Sequence, residues 1–197
     1  RYCPKPVVAA PFDRTLGGGT EVVLAAARVV AHIELYMGLV EVGVGLVPAG
    51  GGCKEMLRRV MNPAMATPNA DPIPVMQRIF ETIGMAKVSV GAIEAREMGF
   101  LQPADRVVMD RERLLGEAKR EVLHMAHSGY VPPRREKIYA GGRDMLAALR
   151  SALYQMREGE YVSDHDRLIG ERLGWILTGG DISAPEWVDE QYILDLE

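Results

Sequence analysis

Two glycine-rich turns constrain the fold of this chain more than any other sequence feature. The first, at residues 16–19, follows a short apolar run at residues 7–10 that fits a buried strand. It precedes an alanine- and leucine-rich segment at residues 21–27 that is typical of a buried helix. The second, at residues 48–52, runs into a predicted helix at residues 53–61. Extended segments followed by glycine turns and helices indicate an α/β architecture.

The remaining pattern predicts helices for most of the rest of the chain. Residues 28–33 indicate a strand and residues 36–47 a glycine-punctuated extended segment, whereas residues 62–74 hold four prolines and indicate an irregular excursion. A further strand is predicted near residues 106–109. Helices are predicted at residues 75–84, 90–98, 111–127, 140–158, 163–178 and 185–196. We therefore expect α/β structure in the first two-thirds of the chain and an all-helical end.

Length and composition narrow the class of protein and partner. The 197 residues suffice for one well-buried core plus an extension. A net charge of −4 gives no reason to expect a nucleic acid or an anionic membrane as partner, and no apolar run could span a bilayer. Cys3 and Cys53 are the only cysteines, which favours reduced thiols in a cytoplasmic protein. The chain opens without Met, close to a strand-like run, so we expect a piece of a longer protein.

The first glycine turn is a candidate oxyanion site. Gly17, Gly18 and Gly19 stand between a strand and a helix, where glycine allows the backbone to approach a ligand closely. The first amides of the following helix have no intrahelical acceptor, so they can hold an oxyanion. The turn is neither a Walker loop nor a GxGxxG dinucleotide fingerprint. On the pattern alone, a tight turn under helix–strand packing is the more frequent explanation.

Two carboxylates accompany the turns. Glu21 comes two residues after the first turn, where the helix dipole alone would favour an acidic residue. Glu41 interrupts residues 36–47, which are otherwise apolar or glycine. A lone carboxylate in such surroundings is costly to bury unless it is paired or neutral. For Glu41, a catalytic role and a place at a solvated edge stay equally open at this point.

Residues 5–52 resemble the central signature of the crotonase (enoyl-CoA hydratase/isomerase) superfamily. That signature is a Lys-Pro-led strand, a Leu-Gly-Gly-Gly turn, a Glu shortly after it, and then Gly-x-x-Glu-x-x-x-Gly-x-x-Pro-x-x-Gly-Gly. This chain matches each fixed position, at Lys5, Pro6, Leu16, Gly17, Gly18, Gly19, Glu21, Gly38, Glu41, Gly45, Pro48, Gly51 and Gly52. Residues 88–108 also resemble a family segment, so the likeness covers about residues 4–128.

The resemblance implies a partial crotonase-like (ClpP/crotonase) ββα superhelix. Residues 1–129 would form the C-terminal part of a crotonase-like domain whose front portion is missing, and residues 130–197 a helical extension. The fold class we expect is therefore α/β followed by an all-helical extension.

The resemblance also implies the roles of individual residues. Gly18 would supply one backbone N–H of an oxyanion hole for the thioester oxygen of an acyl-CoA substrate, with Gly17 and Gly19 as further residues of this oxyanion and substrate-binding turn. Glu21 would deprotonate water for attack at the β-carbon, and Glu41 would protonate the α-carbon. Family members that only shift a double bond usually keep one glutamate, at the position of Glu41. Both glutamates are present here, which favours hydration.

Two departures from the family pattern limit what the chain can do alone. Phe12 and Asp13 stand where the family commonly has Asn-Gly. The second oxyanion donor lies, in the family, upstream of the first residue here, so we expect the isolated chain to have little hydratase activity. The helical tail resembles that of bacterial fatty-oxidation proteins, in which an NAD-dependent 3-hydroxyacyl-CoA dehydrogenase precedes the crotonase domain. We therefore expect a fused dehydrogenase domain or an oligomer, no cofactor in these residues, and NAD only in the missing domain.

Two rival functions are also compatible with the resemblance. The rivals are an enoyl-CoA double-bond isomerase and a crotonase-like domain that binds acyl-CoA without chemistry.

The run Asp164-His165-Asp166 suggests a metal site, yet Ser163 as N-cap with acids in the first turn explains it better. The basic residues 134–137 could meet CoA phosphates, but a solvated surface is the more frequent explanation. We expect no metal.

Overall fold

A computed structural model describes residues 1–197 as strands, helices and short connections. The strands are β1 (Val8–Ala9), β2 (Asp13–Leu16), β3 (Arg28–His32), β4 (Leu35–Gly38), β5 (Arg106–Val108), β6 (Lys137–Ala140) and β7 (Glu186–Asp189). The helices are α1 (Gly18–Leu24), α2 (Gly52–Met56), α3 (Asn62–Met65), α4 (Pro72–Gly84), α5 (Ala92–Glu97), α6 (Arg111–His127), α7 (Gly142–Glu158), α8 (Asp164–Leu177) and α9 (Glu190–Leu196). A 3₁₀ helix at Glu41–Val44 and a π-helical turn at Leu57–Met61 complete the set. None of the helices is long and apolar enough to cross a bilayer.

The chain divides into two compact units, each made from two stretches of sequence. The first combines residues 1–38 with residues 88–135, and the second combines residues 39–87 with residues 136–197. The predicted division into domains at residue 129 stays a prediction.

The first unit is built on parallel strands covered by a helix. Strands β1, β3 and β5 form one parallel sheet, and β2 pairs in parallel with β4, so that Leu16 lies opposite Gly38. Helix α6 packs on the first sheet through Leu114 and Ala118, which form a buried cluster with Val30 of β3. Parallel strands buried by a helix are what the apolar run and glycine turn predict.

The second unit is mostly helical. Helices α7 and α8 pack closely at Gly170, where a Cβ atom would lie 2.7 Å from Cδ2 of Leu153. Strands β6 and β7 pair in antiparallel fashion beside them, with Ile138 opposite Val188. The expectation of an all-helical end is therefore wrong at these two short segments, because pairing between residues far apart in sequence overrides the local pattern.

Other expectations for single elements are confirmed or revised by the structure. Helix α6 has the predicted bounds, with Asp110 as its N-cap. The extended segment predicted at residues 36–47 ends at Gly38, after which the chain turns into the 3₁₀ helix. Strand β2 was not predicted, since its partner β4 lies about twenty positions further along the chain. The helix predicted at residues 53–61 is present, with π geometry in its second half.

Candidate active site

The glycine turn of the first unit depends on Gly17. This residue follows β2 directly, and its N–H donates to the carbonyl oxygen of Gly38 at 2.9 Å. Its backbone has φ 54° and ψ −126°, a combination that side chains exclude. Glycine is therefore required at this position by conformation, independently of any ligand.

Gly18 and Gly19 open helix α1 and are exposed. No heavy atom lies within 4 Å of the position that a Cβ atom of Gly18 would occupy. The first backbone acceptor of the helix is the carbonyl of Gly17, which takes the N–H of Glu21 at 3.1 Å. The amides of the residues between them lie before the first intrahelical bond, so a substrate oxygen has both room and donors here.

Thr20 holds this turn in place, and the sequence interpretation missed it. The residue is fully buried, and its hydroxyl lies 2.7 Å from the carbonyl oxygen of Thr15 and 2.9 Å from that of Gly38. It thus ties the start of α1 to the ends of β2 and β4. A hydroxyl between a glycine turn and an apolar helix was the only sequence signal for this role.

Glu21 lies in the first turn of α1 and is half-buried. The helix packs through Thr20, Val23 and Leu24, whereas Val22 is 72% exposed. Glu21 therefore stands at the border between the packed and the open face of the helix, one turn after the glycines. The carboxylate and the glycine turn share the start of α1, and the catalytic role of Glu21 stays a prediction.

The departure at Phe12 and Asp13 has a conformational explanation. Asp13 has φ 50°, in the left-handed region that glycine tolerates best and that aspartate adopts more readily than most residues. Phe12 is exposed and carries the guanidinium of Arg111 4.4 Å from its ring centroid. An open pocket of about 450 Å³ lies beside β2 and is lined by residues 10–15 and Val23.

Glu41 belongs to the second unit, where it begins the 3₁₀ helix. The residue is half-buried, and its carboxylate oxygen Oε2 is shielded from solvent. Its carbonyl accepts the N–H of Leu46 at 3.0 Å, which closes the turn. Gly45 takes φ 84° there, and a Cβ atom on it would lie 3.4 Å from Nε2 of His165. The carboxylate is therefore neither on a strand nor at a fully solvated edge.

The second glycine turn meets a carboxylate from the far end of the chain. Gly51 has φ 103°, which favours glycine, and its N–H donates to Oε2 of Glu197 at 2.6 Å. The N–H of Lys54 donates to Oε1 of the same residue at 2.7 Å. Glu197 thus caps the start of α2, a role that the sequence interpretation missed.

A buried group of charges follows in the same helical segment. Glu55 is only 2% exposed, and its carboxylate contacts Lys54, Arg58 and Arg59. Burial alone would raise the pKa of Glu55, but the three cations lower it from 4.5 to about 2. The group is therefore a carboxylate throughout the physiological pH range.

The Asp164-His165-Asp166 run occupies a structural position at the start of α8. Ser163 and Asp166 form a capping box at the start of α8, as predicted, and Asp164 pairs with Arg157 at 2.5 Å. These hydrogen bonds and charges lower the pKa of both aspartates. No group of three or more His, Cys, Asp or Glu residues could hold a metal ion.

The sequence of the chain is similar to parts of longer enzymes. It is 44% identical over 201 residues to a Bacillus subtilis (strain 168) protein named probable 3-hydroxyacyl-CoA dehydrogenase, a match that covers 100% of this chain and 24% of the relative. It is 28% identical over 95 residues to a probable enoyl-CoA hydratase from the same organism, covering 48% of this chain and 36% of the relative. No family model matches the chain. The chain thus spans about a quarter of the length of the first relative.

The fold is similar to that of a solved structure. The crystal structure of a probable enoyl-CoA hydratase/isomerase from Mycobacterium abscessus superposes with a TM-score of 0.50 and 20% sequence identity, covering 89% of this chain and 56% of that chain. The likeness shows the fold. The chain therefore has a crotonase-like fold, in agreement with the resemblance carried by residues 5–52.

Proposed function

We propose that this chain is the enoyl-CoA hydratase portion of a fatty acid β-oxidation enzyme, adding water to trans-2-enoyl-CoA. The observation that carries the proposal is the presence of both signature carboxylates, Glu21 and Glu41, together with the open glycine turn at Gly18. Similarity to proteins named as an enoyl-CoA hydratase and as a 3-hydroxyacyl-CoA dehydrogenase supports this substrate class.

The proposed chemistry separates charge stabilisation from proton transfer. The N–H of Gly18 donates to the thioester oxygen as negative charge develops there, a contribution typically worth about 10²–10³ in rate. Glu21, ionised, accepts a proton from water while the water oxygen bonds to the β-carbon. Glu41, protonated, donates a proton to the α-carbon. The proton gained by Glu21 balances the proton lost by Glu41, and exchange with solvent restores both.

The product of this reaction is a 3-hydroxyacyl-CoA thioester, which is the substrate class that names the longer relative. We therefore propose that the parent protein also oxidises this product with NAD. The glycine turn at residues 17–19 lacks the dinucleotide fingerprint, so these residues do not fit NAD and no step of that oxidation is assigned to them.

The test measures hydration of trans-2-enoyl-CoA thioesters by the protein that contains this segment. We expect hydration by the wild type, and a fall in kcat of about 10²–10⁴ for Glu21→Gln and for Glu41→Gln. Glu34→Gln, an exposed carboxylate of the first unit, is the matched control and should leave kcat unchanged. The isolated 197-residue chain should hydrate slowly, since in the family the second oxyanion donor lies outside the matched segment.

Two outcomes would favour the rival functions. If Glu21→Gln kept full turnover of a 3-enoyl-CoA while Glu41→Gln abolished it, the reaction would be isomerisation. If calorimetry detected binding of CoA thioesters and no chain length were hydrated, the domain would be a binding module.

A further inference from the structure

We propose that Glu197 is a positioning residue for the segment that carries Glu41. This segment, residues 41–51, is called the Glu41 loop below, and it runs from the 3₁₀ helix to the start of α2. The inference rests on the proposed function only in giving Glu41 a proton to deliver. It assigns to the end of the chain the task of holding that carboxylate in place.

Glu197 accepts hydrogen bonds at the far end of the Glu41 loop with both of its carboxylate oxygens. Oε2 accepts from the N–H of Gly51 at 2.6 Å and Oε1 from the N–H of Lys54 at 2.7 Å. Hydrogen bonds to an ionised acceptor are shorter and about twice as strong as neutral ones. Leu194 packs beside this contact, with Cδ2 3.5 Å from where a Cβ atom of Gly51 would lie.

Helix α9, which ends just before Glu197, is itself anchored to the same region. Glu190 is buried, and its Oε1 accepts the N–H of Glu136 at 2.9 Å. Its Oε2 lies 3.9 Å from Nζ of Lys54. Lys54 therefore contacts Glu197 through its backbone amide and Glu190 through its ammonium group. A shift of α9 would disturb both contacts at the start of α2.

The middle of the Glu41 loop contacts α8 and Ala86, which lies two residues after the end of α4. A Cβ atom on Gly45 would lie 3.4 Å from Nε2 of His165 and 3.9 Å from Cδ1 of Ile169. A Cβ atom on Gly43 would lie 3.6 Å from Cβ of Ala86. These are ordinary van der Waals distances, so the loop lies in direct contact with both segments, and only φ 84° at Gly45 favours glycine.

Apart from the buried Pro48, the loop contributes little apolar burial of its own. Val44 is 76% exposed and Leu46 is 61% exposed, so neither side chain anchors the loop by the hydrophobic effect. Its order depends instead on turn hydrogen bonds, on the contacts of its glycines and on the two hydrogen bonds that Glu197 accepts, which are called the Glu197 clamp below. Removing the clamp should therefore loosen the loop more than it destabilises the fold.

The variants separate the clamp from a general loss of charge. Glu197→Ala removes both acceptors, whereas Glu197→Gln keeps one acceptor oxygen and loses the other. Asp195→Ala is the matched control, since it removes an exposed carboxylate from helix α9 that accepts only from Gln191 at 2.8 Å.

Amide hydrogen exchange reads the loop directly. The N–H groups of Gly43, Gly45 and Leu46 donate to carbonyls of residues 40–42. We expect these amides to exchange about tenfold faster in Glu197→Ala, less so in Glu197→Gln, and at the wild-type rate in Asp195→Ala. Unchanged exchange at these three amides in Glu197→Ala, with faster exchange only at Gly51 and Lys54, would overturn the inference, because Glu197 would then be a local helix cap.

Kinetics in the protein that contains this chain provide the second readout. Glu197→Ala should lower kcat for hydration about tenfold and change KM less than twofold, with partial rescue in Glu197→Gln. An unchanged kcat in an active enzyme would contradict the positioning role and leave the proposed function intact. If the wild type hydrates nothing, the proposed function fails, whereas the exchange experiment still decides whether Glu197 holds the loop.

Discussion

The glycine turn of the first unit and the Glu41 loop of the second are held in different ways. The turn is fixed by its immediate structural neighbours, namely the parallel pair β2–β4, the bond from Gly17 to Gly38 and the buried hydroxyl of Thr20. The loop is fixed from far away, since Glu197 lies 146 positions beyond Gly51. The turn is thus held by backbone and side-chain contacts close to it, whereas the loop depends on a residue far along the sequence.

The largest expected effect is in the second unit, in the helical segment that follows the Glu41 loop. Glu55→Ala would leave Lys54, Arg58 and Arg59 buried without their shared carboxylate, which should cost about 3–5 kcal/mol in the free energy of unfolding. Urea denaturation measures this cost. Glu81→Ala is the control, since its pair with Lys87 is exposed and should be worth less than about 1 kcal/mol. Similar losses in both variants would show that the buried group is not what holds this unit.

The same carboxylate predicts an acid-sensitive stability. The pKa of Glu55 is about 2 in the folded chain against an ordinary value of 4.5, so its stabilising effect is complete above pH 4.5 and is lost as pH falls toward 2. The loss should be roughly 3 kcal/mol, by conversion of the pKa difference. Unfolding measured across this range should show the slope in the wild type and a flatter one in Glu55→Gln. Equal slopes in the two proteins would refute the assignment.

A smaller effect is expected on the side that is held locally. Gly17→Ala places a side chain at φ 54° and ψ −126°, and should cost roughly 1–3 kcal/mol. Gly116→Ala is the matched control, because this residue lies exposed within α6 with no atom within 4 Å of a Cβ position. That change should stabilise the protein by roughly 0.5–1 kcal/mol. A Gly17→Ala protein as stable as wild type would remove the conformational argument for the turn.

The difference between local and distant contacts also explains which elements could be predicted from the sequence. Helix α6 was predicted with its observed bounds, since a cap and a periodic pattern are local signals. The glycine turn was also predicted, through a signature carried by adjacent residues, whereas the role of Glu21 stays a prediction. The 3₁₀ helix at Glu41 was missed, because it ends at the left-handed Gly45 within an apolar run that also fits a strand.

Features that depend on partners far apart in sequence could not be predicted from local sequence patterns. Strands β6 and β7 pair across some fifty residues, and each is too short to show a clear alternation. The clamp at Glu197 carries no sequence motif, since any carboxylate that the fold brings to those amides would serve. The two roles predicted for Glu21 and Glu41 as a pair stay predictions that kinetics must decide.

A double-mutant cycle on hydration of trans-2-enoyl-CoA tests the central claim most directly. If Glu21 and Glu41 act in one hydration step, the Glu21→Gln/Glu41→Gln protein should be about as slow as the slower single variant, because groups that act as a unit are strongly non-additive. Two losses that multiply in the double variant would show that the carboxylates act independently, and would contradict the account.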